Sequence, residues 1–245
     1  MRSLAFAIRT LTRLRVGSTP LEREERSLIW YPLVGALYGA VFVLCSLLPL
    51  SAGLRSALII SCSAYLSRGF HLDGLADFAD GLGGGWSSER ALAIMRDSHT
   101  GAFAVIALLA TLLVQYSALQ SLVEEPLLLL LAPIFARLMI VLGATLLPYA
   151  RTGEGSAASL VRGARARHLL APLAQVVALI ALYARLAGPA LGLRTAMGFL
   201  ASLLGAVVVM RMAHKRLGGV TGDVLGAIEV VGESAALVGL LIPLA

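Results

Sequence analysis

Charge is scarce in this chain of 245 residues: Asp, Glu, Lys and Arg together make up 14%. A soluble domain usually carries about 25%. Cysteine is nearly absent. Cys45 and Cys62 fall inside apolar runs and read as small core residues, which excludes a disulfide framework and zinc spacing. No small-residue cleavage site follows a clean apolar run, so a signal peptide is not expected. No linker or fixed-period repeat interrupts the chain, and residues 1–245 read as a single integral membrane domain. The net charge of +6 has the sign of a nucleic-acid binder. No soluble stretch is left to carry a basic groove, however, so no nucleic-acid partner is expected. That charge does suit anionic membrane lipid on the cytoplasmic side.

What is abundant is apolar sequence, at 58% of residues. The expected fold is all-α: a polytopic membrane helical bundle of about seven transmembrane helices, each needing roughly 20 apolar residues. The expected spans are about 28–50, 54–70, 102–122, 127–148, 169–187, 190–210 and 224–244. Trp30 and Tyr31 at the start of the first suit an interfacial aromatic belt. Residues 1–26 interleave six arginines with Leu4, Phe6, Ile8, Leu11 and Leu14. This lead-in is too short and too charged to span, and reads as an amphipathic cytoplasmic segment.

The cations give the orientation. With the N-terminus inside and the C-terminus outside, sixteen of the twenty Lys and Arg residues fall in inner segments. Arg55, Arg185 and Arg194 fall in outer turns, and Arg137 lies within a span. This bias fits the positive-inside rule. It also places three stretches on one side, as cytoplasmic loops forming a site: 71–100, 149–168 and 211–223.

The stretch RGFHLDGLADFADG (68–81) carries the chemistry. Asp73, Asp77 and Asp80 stand at i, i+4 and i+7, and so share one face of a helix. Carboxylates so placed repel one another unless a cation sits between them, and all-oxygen donors favour Mg²⁺ or Mn²⁺. Asp97 and Asp223 are further acids on that side, while Arg68, Arg96, Lys215 and Arg216 are candidate phosphate clamps. The loop GGVTGD (218–223), with Thr221, could offer backbone N–H groups to a phosphate at the start of the last span. Metal, acids and cations together describe a phosphoryl-transfer site. Blander readings compete elsewhere. His71 and His99 read as hydrogen-bonded boundary residues, His214 as an interfacial one, and the arginines of 149–168 mostly as topology determinants. Arg137, Glu229 and Glu233 lie inside spans, where ionisable groups are costly and mark a structural or functional role.

Three words, RGFHLDGLADFADGL, IMRDSHTGAFA and RLGGVTGDVLGAIEV, resemble the cobalamin 5′-phosphate synthase family, the adenosylcobinamide-GDP ribazoletransferases. The resemblance extends along almost the whole chain, although Arg15 stands where the family commonly has proline. It implies a multi-pass enzyme of the bacterial cell inner membrane that uses Mg²⁺. It implies transfer of the adenosylcobinamide phosphate moiety from adenosylcobinamide-GDP to α-ribazole or α-ribazole 5′-phosphate. The expected products are GMP and adenosylcobalamin or its 5′-phosphate, with the ribazole 5′ oxygen as attacking atom. By matching words, Asp73, Asp77 and Asp80 would form the metal site, with Asp97 and Asp223 as further site acids. A homo-oligomer, or a complex with other enzymes of the cobalamin pathway, is compatible with it.

Two alternatives belong to other classes. A membrane phosphotransferase of the CDP-alcohol type would show DGxxAR followed by GxxxDxxxD, and Asp73-Gly74 is not continued in that way. DDxxD, expected of a prenyl-diphosphate enzyme, is absent. An ion-coupled transporter would place acids mid-span and show repeat symmetry, whereas most acids here lie at one face.

Overall fold

The computed structural model describes residues 2–17, 21–153 and 155–242. Parts of the expected lead-in (Met1 and 18–20), Glu154 of the 149–168 loop and the last residues of the chain lie outside the described residues. Among those described, the fold is helical apart from one isolated bridge between Tyr149 and Val220.

Helix α1 (Arg2–Leu11) buries Ala7 and Leu11 and leaves its arginines outward. Two hydrogen bonds seat it: Tyr38 Oη donates to the Leu11 carbonyl at 2.6 Å, and Trp30 Nε1 to Ser3 Oγ at 3.0 Å. A 3₁₀ turn (Glu24–Trp30) leads into α2 (Tyr31–Ser46), and α3 (Ala52–Ser67) follows. The chain then turns through Arg68 and Gly69, both at positive φ, into α4 (Phe70–Gly84), the aspartate helix. Gly85 ends α4, as the glycine run predicts, and Ser87 Oγ caps α5 (Ser88–Ile94) by accepting from Arg90 N.

Next come α6 (Ala102–Leu122), the short α7 (Pro126–Leu129), α8 (Leu131–Leu146) and α9 (Ala158–Gly163). The chain is completed by α10 (Arg167–Ala187), α11 (Pro189–Leu217) and α12 (Gly222–Leu240). The segments 71–100 and 149–168 are therefore partly helical, not simple loops. Residues 211–217 continue α11, which carries His214, Lys215 and Arg216 in its last turn, where the helix dipole favours cations. Only residues 218–221 connect α11 to α12.

Helices α8 and α12 form the centre. Leu131 to Val141 and Val224 to Val230 are buried without interruption. By contrast α6, α10 and α11 present Leu109, Leu113, Leu182, Leu200 and Leu204 outward. Such a surface is unfavourable in water and ordinary in hydrocarbon.

Among the described residues, five helical segments are long and apolar enough to cross a membrane: Glu24–Ser46, Ala102–Leu122, Pro126–Leu146, Arg167–Ala187 and Pro189–Leu217. Two of the seven expected spans are not among them. Helix α3 has 16 residues, and the 19 residues of α12 include Asp223, Glu229 and Glu233.

The centre also holds charge. Arg137 Nη1 of α8 lies 2.5 Å from Glu229 Oε1 and 2.6 Å from Glu233 Oε2, both on α12. Its guanidinium also sits 3.9 Å from the centroid of the Tyr38 ring. His71 Nδ1 of α4 is 3.1 Å from Glu229 Oε2. The four helices α2, α4, α8 and α12 are thus joined through one buried cluster. At the end of the bundle away from the aspartate stretch, Arg55 pairs with Glu124, and Arg194 with Glu125 at 2.6 Å.

Candidate active site

The site begins where α4 crosses α12. A Cβ placed on Gly74 would lie 2.7 Å from the Asp223 carbonyl oxygen. One on Gly226 would lie 3.1 Å from the carbonyl of His71. Only glycine lets the two backbones approach this closely, as at close helix crossings in membranes. The crossing brings the aspartate helix against the first turn of α12, which carries Asp223.

The three aspartates of α4 are not equivalent. Asp73 is exposed, Asp77 half-buried and Asp80 buried. The row therefore descends from the surface into the bundle. Burial pushes the Asp77 carboxyl up to about 7, helped by Asp73, Asp223 and Asp80 and opposed by Arg151. Asp80 has a different environment. Its Oδ2 accepts from Gly101 N at 2.6 Å and its Oδ1 from Ala104 N at 2.9 Å. Asp80 thus caps the N-terminus of α6 with both oxygens and locks α4 to that helix.

Asp223 Oδ2 accepts from Arg151 Nη2 at 3.0 Å and from Thr221 Oγ1 at 3.2 Å. Burial holds its carboxyl above the usual range, against the pull of Arg151 and Thr221. Thr221 is buried and serves as N-cap of α12, accepting from Val224 N at 3.3 Å. Its role is to shape the turn, more than to meet a substrate. The backbone brings Arg151 to this place: Val220 N donates to Pro148 O and Ala150 N to Val220 O. Arg162 Nη2 then donates to the carbonyls of Thr152 and Gly153 at 3.2 and 2.9 Å, fastening the segment that presents Arg151. Neither Arg151 nor Arg162 stands out by spacing; a cation in the loop facing TGD was the only available signal.

The remaining candidates scatter around this centre. Arg216 Nη2 donates to the carbonyls of Gly85, at 2.5 Å, and Leu82, so it caps the end of α4. Arg68 reaches the Arg9 carbonyl at 3.4 Å and ties α4's entrance to α1. Asp97 pairs with its neighbour His99, Nδ1 to Oδ1 at 2.5 Å, in an exposed turn. Arg96 is exposed. Lys215 lines an open groove at the end of α11, with Arg211, His214 and Leu147.

Among the described residues, no three His, Cys, Asp or Glu side chains are close enough together to hold a metal ion as they stand. The donor chemistry nonetheless fits a hard divalent cation. Asp73, Asp77 and Asp223 supply only oxygen; Asp73 and Asp223 act on the charge of the half-buried Asp77, with Arg151 as counter-charge.

Comparison with known proteins agrees along nearly the whole chain. An adenosylcobinamide-GDP ribazoletransferase of Chlorobium phaeovibrioides is 40% identical over 239 residues, covering 95% of this chain and 94% of the relative. One of Syntrophobacter fumaroxidans is 39% identical over 241 residues, covering 94% and 93%. One of Chlorobaculum tepidum is 36% identical over 245 residues, covering 96% and 93%. No solved structure matches the chain. The sequence pattern of cobalamin-5-phosphate synthase matches residues 3–241, and with these relatives it shows that the chain belongs to the cobalamin-5-phosphate synthase family, a family of cobalamin-biosynthesis transferases.

Proposed function

We propose that the protein transfers the adenosylcobinamide phosphate moiety from adenosylcobinamide-GDP to α-ribazole or α-ribazole 5′-phosphate, releasing GMP, in a Mg²⁺-dependent reaction. The observation that carries this reading is the gathering of Asp73, Asp77, Asp223 and Arg151 where α4 meets α12. Asp73 and Asp77 would hold the cation, while Asp80 keeps α4 in place through α6. Bound there, Mg²⁺ supplies positive charge to the reacting diphosphate. Arg151 is placed to share that task on the leaving phosphate, and the N-terminus of α12 adds its dipole.

The attacking atom expected from the resemblance needs correction. A family named for a cobalamin 5-phosphate product keeps the 5′ position of its acceptor intact. A ribose ring hydroxyl is therefore the nucleophile. Its oxygen forms the new bond to the cobinamide-linked phosphorus, the bridging P–O bond breaks, and GMP leaves with that oxygen. The hydroxyl must lose a proton. Arg151 and Thr221 both occupy Asp223 Oδ2, which leaves Oδ1 to take it.

The reading includes a seven-span protein of the bacterial inner membrane, its N-terminus and site on the cytoplasmic face. The pairs Arg55–Glu124 and Arg194–Glu125 support it, because they tie helix ends together at the end opposite the acids. Oligomeric partners and other pathway enzymes belong to the same proposal. Manganese binding, read by electron paramagnetic resonance on the purified protein, tests the metal assignment. Asp73→Asn and Asp77→Asn should each abolish it; full binding by both variants would refute it.

A further inference from the structure

A cavity open at its mouth lies beneath α1 and beside the first turn of α12. Gly222, which lines it, directly precedes Asp223. Phe70 and His71, which also line it, lie within one turn before Asp73. Whatever fills the cavity can place an attached group among the site's acids.

The walls are aromatic and aliphatic, from Phe6, Tyr31, Phe70, Ile140, Leu160 and Leu225. Polar groups are few: the hydroxyls of Thr10, Ser156 and Tyr31, the Glu24 carboxylate, and the His71 ring, whose Nδ1 faces Glu229. Such a lining accepts a flat, apolar two-ring base with a single sugar attached. It suits guanine less well, since the few polar groups leave most of that base's polar edge against apolar wall. A corrinoid is far too large.

We infer that this cavity seats the benzimidazole base of the nucleoside acceptor, and that α1 is its roof; this rests on the proposed transferase reading. The amphipathic lead-in thereby has a task beyond lying at the membrane. Phe6, Thr10 and Leu11 of α1 close the cavity, and the bonds from Tyr38 and Trp30 hold them there. With the base inside, the ribose emerges beside Gly222 and its ring hydroxyls face Asp223. The floor is built from small residues. A Cβ on Gly222 would meet Ser156 Oγ at 2.8 Å and the Ala157 methyl at 3.8 Å.

The test is equilibrium binding of α-ribazole to the full-length protein in lipid nanodiscs, read by benzimidazole fluorescence, beside turnover. Ala157→Leu fills the floor and Phe6→Ala opens the roof without entering the core. Each should weaken α-ribazole binding by roughly tenfold or more, the scale of one crowded or missing apolar contact, and raise its KM alike. The KM for adenosylcobinamide-GDP should stay within about twofold of wild type. Unchanged α-ribazole affinity in both variants overturns the assignment, as does a loss confined to the GDP-linked substrate or to GMP. Displacement of the fluorophore by phospholipid but not by excess unlabelled nucleoside shows an acyl-chain pocket and overturns it too. Wild-type protein that makes no cobalamin from both substrates refutes the underlying function, whereas normal turnover with unaltered variants refutes only the cavity.

Discussion

Gly74 of α4 lies against the backbone of Asp223 of α12, so close that a methyl group on Gly74 would sit 2.7 Å from the Asp223 carbonyl oxygen. Two stretches of sequence about 150 residues apart are thereby brought into one site, and the contact depends on the absence of a side chain. Gly74→Ala must push α4 away from α12. Because displacements of about 1 Å at a reacting centre can cost about a hundredfold in rate, turnover should fall on that scale while the protein still inserts. Turnover within twofold of wild type would show that the crossing does not set the geometry.

Asp77 and Asp80 lie on the same helix and should fail differently. Asp80→Asn puts an amide donor against an N–H of α6's first turn. The expected loss is about 1–2 kcal/mol, the cost of a lost N-cap, read as a lower midpoint of thermal unfolding in detergent. Asp77→Asn relieves like-charge crowding and should leave that midpoint unchanged or higher, with metal binding and turnover lost. The opposite pattern would exchange the two roles.

The buried cluster of Arg137, Glu229 and Glu233 predicts strong coupling. Arg137→Met leaves two acids without their partner. Such removal costs about 3–5 kcal/mol, so the variant should accumulate poorly or unfold early. Adding Glu229→Gln and Glu233→Gln should recover most of the stability, because the charges left behind cause the loss. A triple variant no better than Arg137→Met would contradict this.

Topology is open to cysteine labelling in a background lacking Cys45 and Cys62. Glu124→Cys should react with an impermeant maleimide from the periplasmic side, and Ser87→Cys only after the membrane is opened. Labelling of both from one side would rule out the seven-span arrangement.

Much of the site was legible along single helices and little of it between them. The spacing of Asp73, Asp77 and Asp80, the Gly83–Gly85 break, the Ser87 cap and the TGD turn at the head of α12 are local, and local physics decides them. Partner choice is not local. Asp80 meets residues 21 and 24 positions on, Arg151 meets Asp223 72 positions on, and Arg137 meets Glu233 96 positions on. Helical phase puts the three aspartates on one face, but depth along α4 separates them, and depth depends on what α6 and α12 place around that helix. Arg216 shows the same limit: its charge is visible in sequence, whereas the carbonyls of Leu82 and Gly85 that it caps are not. By length and apolarity five of the seven expected spans stand out among the described residues, because α3 is short and α12 carries acids that the bundle interior buries.

The most direct measurement is turnover by the purified protein in lipid, supplied with adenosylcobinamide-GDP, α-ribazole and Mg²⁺ and scored for cobalamin and GMP together. The acid cluster at the crossing of α4 and α12 predicts equimolar products that require Mg²⁺ and vanish in Asp77→Asn. Undiminished product formation in excess chelator, or wild-type turnover by Asp77→Asn, would contradict it.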